Sequence, residues 1–146
     1  MLYRRAVISD IPAIISLGVE SVSRDPLPLT ISGASMSATA SMIIGNNAHF
    51  SWVAEHHGTV VGSVCAQTHF GFWFERQQCS VLLYYGRLPN SVMPLLRIFA
   101  AWVKSRPVIK MAVIELEPAT DPRLPHVLGR LGFTRSSTNV TYVRGK

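Results

Sequence analysis

The sequence predicts a single α/β domain built on a mixed β-sheet of six to seven strands flanked by about four helices. Three observations predict it. Apolar spacing alternates between period 2 and period 3.6 in the order β-α-α-β-β-β-α-β-α-β-β. A hairpin pattern in the middle requires antiparallel strands, whereas strand–helix–strand crossovers late in the chain place parallel strands beside them. The chain has 146 residues, 48% hydrophobic and 15% charged, which is enough to build one core across residues 1–146 and excludes disorder.

Residues 2–8 read as the first strand. Ser9 or Asp10 can cap a helix whose apolar positions Ile11, Ile14, Ile15, Gly18 and Val22 follow the helical period, fraying near Ser23. Two prolines in 25–28 impose a rigid loop. A short helix over 37–44 ends at Gly45-Asn46-Asn47. Residues 50–55 and 59–68 flank His56-His57-Gly58, the pattern of an antiparallel hairpin. An aromatic loop over 69–74 leads to a central strand over 79–85 and a tight turn over 86–90. The next helix starts near Ser91 with Pro94 in its first turn; it buries Val92, Leu95, Leu96, Phe99 and Val103 and leaves Arg97 and Lys104 outside. A buried strand over 108–117, a helix over 124–131, and strands over 133–136 and 140–144 complete the chain.

Composition narrows the function. The net charge is +6, from 14 Lys+Arg against 8 Asp+Glu, which favours an anionic partner. The basic residues are scattered, and one aromatic–basic cluster, Trp73-Phe74-Glu75-Arg76, is too little for a nucleic-acid surface. The most apolar stretch, 92–103, contains Arg97 and is shorter than the ~20 residues of a membrane span. No signal peptide is expected, because Tyr3-Arg4-Arg5 leads to Asp10 and Pro12 rather than an apolar run. Cys65 and Cys79 lack metal-ligand spacing and read as buried thiols of a reducing compartment. No metal is expected. Low charge in so small a domain points to a homo-oligomer or a protein partner covering apolar surface. The His56-His57 pair reads as a solvated hairpin tip whose side chains point apart.

Four stretches carry a resemblance. Arg5-Ala6-Val7-Ile8-Ser9-Asp10-Ile11-Pro12, Trp52-Val53-Ala54-Glu55 with its hairpin to Gly62, Leu83-Tyr84-Tyr85 followed by Leu95-Leu96, and Leu128-Gly129-Arg130-Leu131-Gly132-Phe133 resemble, in order and spacing, the GNAT superfamily of N-acetyltransferases. The resemblance implies acetyl-CoA as cofactor and a primary amine, on a small molecule or a protein, as acceptor. It places the pantetheine on the backbone of Leu83 and Tyr85. It places the diphosphate on Arg87 and the amides of Leu88, Asn90, Ser91 and Val92, at a helix N-terminus suited to phosphate. The family's Gln/Arg-x-x-Gly-x-Gly/Ala loop has lost both glycines here. Asn90 tolerates a left-handed conformation, Val92 blocks close approach, and Pro89 lacks an N–H.

Leu128 stands where the family commonly has a tyrosine general acid, and the strand over 79–83 carries no carboxylate base. His69, Glu75, Glu117 and Tyr142 are replacement candidates with no spacing to choose among them, so no catalytic residue is assigned. His69, Trp73 and Glu75 can equally line an acceptor pocket or form a packed cover. Asp121 reads as a helix cap, against the alternative of a CoA contact. Within the family the chain is most similar to small bacteriophage-encoded GNAT-like proteins, through the hairpin, the His69 to Phe74 loop and Phe99-Ala100-Ala101-Trp102. Two functions therefore stand: an acetyltransferase in the cytoplasm of a bacterial host, and a catalytically inactive structural or interaction protein, associated with a virion.

Overall fold

The structure, a computed structural model, describes residues 1–24, 27–71, 77–117 and 120–144. Strand β1 (Leu2–Arg5) is followed by a 3-10 turn (Ile8–Asp10), then α1 (Ile11–Ser23) and α2 (Gly33–Ile44). The hairpin β2 (Phe50–His56) and β3 (Thr59–Phe70) precedes β4 (Gln77–Gly86), α3 (Met93–Lys104), β5 (Ile109–Val113) and α4 (Leu124–Leu131). The sheet order is β1-β2-β3-β4-β5. Every neighbouring pair is antiparallel except β4 and β5, which α3 joins in parallel.

The mixed sheet with helices on both faces is present, with five strands rather than six to seven among the described residues. The strands expected over 133–136 and 140–144 are absent: Phe133 stacks on Phe99 at 6.3 Å between ring centroids. Residues 134–139 then offer no large apolar side chain to hold the segment on the sheet, and Val140 is 98% and Tyr142 79% exposed. With no strand beyond it among the described residues, β5 is an edge. The expected buried strand over 108–117 shortens to Ile109–Val113 and buries only Ile109.

The first strand ends at Arg5 rather than residue 8. Asp10 turns the chain there: its carboxylate accepts from Val7 N–H at 2.8 Å and from both terminal nitrogens of Arg4 at 2.8 and 2.9 Å. Asp10 thus occupies the N-cap position of α1 without its side chain capping the helix. Helix α2 begins four residues earlier than the periodicity predicts because Ser32 Oγ accepts from Ser35 N–H at 3.2 Å. At the hairpin tip His57 and Gly58 have φ of +50° and +77°, which matches the twist of a two-residue hairpin turn. The His56 and His57 rings lie 4.1 Å apart rather than diverging. Cys65 and Cys79 are free and buried, as expected. Asp25, Pro26 and residues 72–76, including Trp73 and Glu75, lie outside the described residues.

Two cores sandwich the sheet. On one face α3 and α4 contribute Leu95, Leu96, Phe99, Leu124 and Leu128 against Phe50, Val64, Ala66 and Cys79. On the other, Ile14 and Leu17 of α1 pack on Val53, Val60 and Cys65. Helix α2 lies on that same face, where Met36 packs over Gly18 so closely that a Cβ on Gly18 would come within 2.6 Å of its Cε.

Candidate functional site

The site begins with a defect in β4. The register runs Cys65↔Leu83 and then Ala66↔Val81, so Leu82 is an extra residue, a β-bulge. The bulge exchanges the strand's faces. Cys79, Val81 and Tyr84 pack on the α3 side, whereas Leu83 and Tyr85 pack on the α1 side. It also bends β4 away from β5, whose parallel pairing runs only from Gln77↔Ile109 to Ser80↔Val113. From residue 81 onward the backbone of β4 has no β5 partner, and a wedge opens between the two strands. Tyr84 crosses that wedge: its hydroxyl donates to Glu115 O at 2.5 Å and lies 3.2 Å from Thr120 Oγ1.

At the wide end of the wedge the chain makes the turn over 87–92 into α3. Asn90 takes the left-handed conformation at φ +62°, and Tyr3 Oη donates to its carbonyl at 2.7 Å. Ser91, only 1% exposed, closes the turn. Its hydroxyl donates to Leu88 O and accepts from Leu88 N–H, while its own N–H donates to Leu88 O. Arg87 N–H donates to Val61 O at 2.8 Å. The amides of Arg87, Leu88 and Ser91 are therefore engaged within the protein. Those left to face a ligand are Asn90, Val92 and the first-turn amides of α3, Met93 and Leu95, which have no carbonyl one turn earlier in the helix. Val92 occupies the N-cap without a side-chain bond, and Pro94 sits in the first turn as expected.

The turn seats this deeply because two strand glycines lie under it. A Cβ on Gly86 would fall 2.0 Å from Ser91 Oγ, and one on Gly62 would fall 2.2 Å from Ser91 O. The glycines absent from the loop itself are thus offset by glycines in the sheet beneath.

Between this turn, the end of β4 and the start of α4 lies a cleft of about 550 Å³. Of the residues expected to hold a cofactor, Tyr85, Leu88, Asn90 and Val92 line it. Leu83 faces the opposite side of the sheet, and Ser91 is buried beneath the turn. Arg87 points away as well: its guanidinium bonds Glu20 at 2.9 and 2.7 Å and Ser16 Oγ at 3.0 Å, across to α1. That pairing holds the Glu20 carboxyl below its ordinary range and raises the arginine further. The cations that line the cleft are instead Arg24, Arg97 and Arg123. Arg97 was legible as an exposed position one turn into α3. Arg24, whose guanidinium lies 5.7 Å from the Tyr85 ring centroid, gave no sequence signal. Arg123 pairs with Asp121 at 2.7 Å. Arg123 N–H also donates to the Asp121 carboxylate at 2.9 Å, a local turn ahead of α4 rather than the expected helix cap, since Arg123 holds the N-cap position without a side-chain bond; the two contacts pull the Asp121 pKa down to about 2.

On the other face of the bulge a second cavity, about 460 Å³, lies between α1, α2 and β4, with Cys65, Leu82 and Leu83 on its floor. Strand alternation places His69 on the same face as Cys65. His69 Nε2 lies 3.0 Å from Ser80 Oγ, and Nδ1 lies 3.2 Å from Phe70 O. A carbonyl can only accept, so that contact puts the proton on Nδ1 and leaves the Nε2 lone pair toward Ser80. Of the other candidates, Glu117 is exposed and Tyr142 stands in the exposed C-terminal segment, outside any strand. Leu128 is 4% exposed in the core under α3. No group of three or more His, Cys, Asp or Glu side chains suited to a metal occurs among the described residues, and no helix among them is long and apolar enough to cross a membrane.

A mixed five-stranded sheet that parts between β4 and β5, with a helix starting at the mouth of the wedge, is the fold of the GNAT acetyltransferases. Solved structures share it. A predicted acetyltransferase from Clostridium acetobutylicum, solved with acetyl-CoA, superimposes with a TM-score of 0.76 at 14% identity, over 98% of this chain and 95% of that one. An acetyltransferase from Trypanosoma brucei gives 0.68 at 18% identity, covering 98% of each chain. An aminoglycoside 6'-N-acetyltransferase from Acinetobacter haemolyticus gives 0.66 at 17%, over 100% of this chain and 99% of that one. No protein-family model matches the sequence, and neither does any curated protein.

Proposed function

We propose that the chain is an acetyl-CoA-dependent N-acetyltransferase acting on a primary amine. The observation that carries this reading is the wedge itself: the β4 edge beyond Ser80 is left without a β5 partner and opens onto a cleft lined by arginines. The residues fit the cofactor. Tyr84 and Gly86, whose backbone groups alternate away from β3 toward the wedge, would offer them to the pantetheine amides, whereas those of Tyr85 and Leu83, the residues expected in that role, face β3. The amides of Asn90, Val92 and Met93, at the start of α3, would hold the diphosphate, and Arg97, Arg24 and Arg123 would supply the positive field. Leu88 and Ser91 shape the turn, and Arg87 fastens it to α1. Acetyl-CoA, when bound, supplies an activated acetyl thioester.

The protein's own contribution is mostly positioning. His69, with its Nε2 lone pair toward Ser80, is the proton acceptor for the amine, and Tyr84 Oη is the hydroxyl that the chain places inside the wedge. Transfer forms an amide N–C bond and breaks the thioester C–S bond; one proton leaves the nitrogen and one reaches the thiolate, so nothing else is consumed.

The aminoglycoside acetyltransferase solved with sisomicin, similar over 99% of this chain at 11% identity with a TM-score of 0.66, supports a small-molecule acceptor. A second reading keeps the fold without catalysis, as a structural or partner-binding protein. It is favoured by Arg87 being held on Glu20 and by the burial of Leu128.

The experiment is acetyl transfer to pooled primary amines, followed by mass spectrometry for a product 42 Da heavier, the mass an acetyl adds to an amine. An acetylated amine dependent on the protein supports the transferase. Thioester left intact with every amine, by protein that nonetheless binds acetyl-CoA, supports the second reading.

A further inference from the structure

The charge of the chain is divided along its length. Residues 87–146 carry ten of the fourteen Lys+Arg and three of the eight Asp+Glu, a net +7 against −1 for residues 1–86. Those three carboxylates stand toward the cleft: Asp121 lines it, Glu115 O accepts from the Tyr84 hydroxyl, and Glu117 lies between them in the chain. Four of the cations gather at the other end of the sheet, which their scattered spacing in the sequence conceals. Helix α3 runs from the cleft to Lys104, β5 starts beside Gln77 at the foot of β4, and α4 runs from the cleft to Leu131. The two helices end together: a Cβ on Gly132, just past α4, would lie 3.6 Å from Lys104 Cε and 3.9 Å from its Nζ. Lys104, Lys110 and Arg130 are exposed, and the Arg106 guanidinium lies 4.7 Å from the Trp102 ring centroid. Among the described residues none of these four cations has a carboxylate partner.

Two large apolar side chains stand out at the same end. The registers Phe70↔Gln77 and Gln77↔Ile109 set the last residue of β3 and the first of β5 two strand spacings apart, about 10 Å. Phe70 is 73% exposed, and Val108, just before β5, 60%. Strand alternation puts Phe70 on the face of Val64 and Ala66, the side that α3 and α4 cover. This rim therefore combines protruding apolar groups with positive charge that no carboxylate among the described residues balances.

We propose that this end of the molecule docks on an anionic lipid membrane. The inference goes beyond the transferase reading and rests on none of it. Lys104, Arg106, Lys110 and Arg130 meet the phosphodiester headgroups, whose charge they complement. Phe70 and Val108 enter the boundary between headgroups and acyl chains, where apolar side chains lose their water at a lipid surface. Both stand at strand ends and are already exposed, so insertion breaks no packing. A nucleic acid would call for aromatic faces on which bases stack; that of Trp102 is taken by Arg106, and Val108 has none. Docking at this rim leaves the cleft open to water, since Gly62, paired with Gly86 at the cleft end, lies eight residues along β3 from Phe70, about 26 Å of extended strand.

The test is co-sedimentation with vesicles of phosphatidylcholine alone and of phosphatidylcholine and phosphatidylglycerol in equal parts. Poly-uridylate and polyglutamate serve as soluble polyanions. Three double variants are compared with the wild type. Lys110→Gln with Arg130→Gln removes charge from the rim, and Phe70→Ser with Val108→Ser removes its apolar groups. His57→Asp with Thr59→Glu lowers the net charge by the same two units at the exposed hairpin tip, the cleft end of the sheet. The expected result is saturable, salt-sensitive binding to the anionic vesicles only. Both rim variants should bind at least tenfold more weakly, and the hairpin variant should stay within about twofold of wild type. Urea transitions confirm that each variant is folded; should Phe70→Ser lower its midpoint, Val108→Ser alone, in a turn outside any strand, reads the same contact. No binding to anionic vesicles overturns the proposal, as does a hairpin variant weakened as much as the rim variants, which would make the attraction a matter of net charge. Undiminished binding after loss of Phe70 and Val108 overturns it too. So does poly-uridylate or polyglutamate bound while vesicles are ignored, or self-association that Phe70→Ser with Val108→Ser abolishes, which would make the occupant a second copy.

Discussion

Replacing Gly86 with alanine tests whether the phosphate-facing turn depends on the sheet beneath it. The new Cβ would stand 2.0 Å from Ser91 Oγ and 2.8 Å from Val92 Cγ2, against an ordinary contact limit of 3.4 Å. The turn over 88–91 must therefore lift by about 1.4 Å at the serine, the shortfall in that contact. Lifting weakens the reciprocal Ser91–Leu88 bonds. Overpacking costs about 1–3 kcal/mol, the lost bonds about 1 kcal/mol, and the reduced freedom of the unfolded chain returns about 0.4–1 kcal/mol. The net expectation is about 2 kcal/mol, read as a lower urea midpoint with unchanged slope. Ser91→Gly alone costs a similar amount by losing its hydroxyl bonds and adding a flexible residue. The double variant should be more stable than the sum of the two effects by about 1–2 kcal/mol, because the serine atoms in the tightest contact are gone and only Val92 Cγ2 is left to shift. Gly62→Ala is the control, since its Cβ meets the Ser91 backbone carbonyl at 2.2 Å and Ser91→Gly cannot relieve it. Additivity of the Gly86→Ala and Ser91→Gly effects within about 0.5 kcal/mol would refute the reasoning.

Three further outcomes are expected. Arg97→Ala should weaken acetyl-CoA binding by about 1–3 kcal/mol, the scale of a charge-assisted contact, and the loss should shrink at high salt. Arg87→Ala, whose guanidinium is turned to Glu20, should weaken it by less; the reverse order in calorimetry would return Arg87 to the diphosphate. His69→Gln should lower the transfer rate about 100-fold with acetyl-CoA affinity unchanged and partial rescue by added imidazole; an undiminished rate removes His69 from proton transfer. Asp10→Asn should cost about 2 kcal/mol at pH 7, read from urea midpoints, because it breaks the Arg4 pair at a site 6% exposed. The Arg4 bonds hold the Asp10 carboxyl below its ordinary 3.8. Its contribution is therefore complete above that value and lost as pH falls through the depressed one, so the gap between wild type and Asp10→Asn should hold at neutral pH and narrow only as pH falls below 3.8.

The sequence carried the parts of this fold that local chemistry sets. The apolar period of 11–22 and 92–103, the His57-Gly58 turn and Pro94 at a helix start each specify their element without help from distant residues. What it did not carry depends on pairing across the chain. Leu82 looks like any strand residue, and only its register against Cys65 and Ala66 makes it the bulge that opens the wedge. Arg87 sits at the family's basic position, yet Glu20, 67 residues earlier, turns it away, and no local pattern announces such a partner. The strands expected over 133–136 and 140–144 do not form, because residues 134–139 offer no apolar anchor and local strand propensity alone does not hold a segment on a sheet. The missing loop glycines looked like damage, whereas Gly62 and Gly86, far away or on the strand, supply the close approach.

The most direct test of the wedge as a cofactor site is calorimetric titration of acetyl-CoA into the purified protein, with desulfo-CoA and adenosine as shorter probes. The account predicts one saturable site per chain, retained by desulfo-CoA and weakened strongly for adenosine, which lacks both the diphosphate and the pantetheine. Absence of heat at concentrations well above ordinary cofactor affinities, with the protein folded by its urea transition, would contradict it.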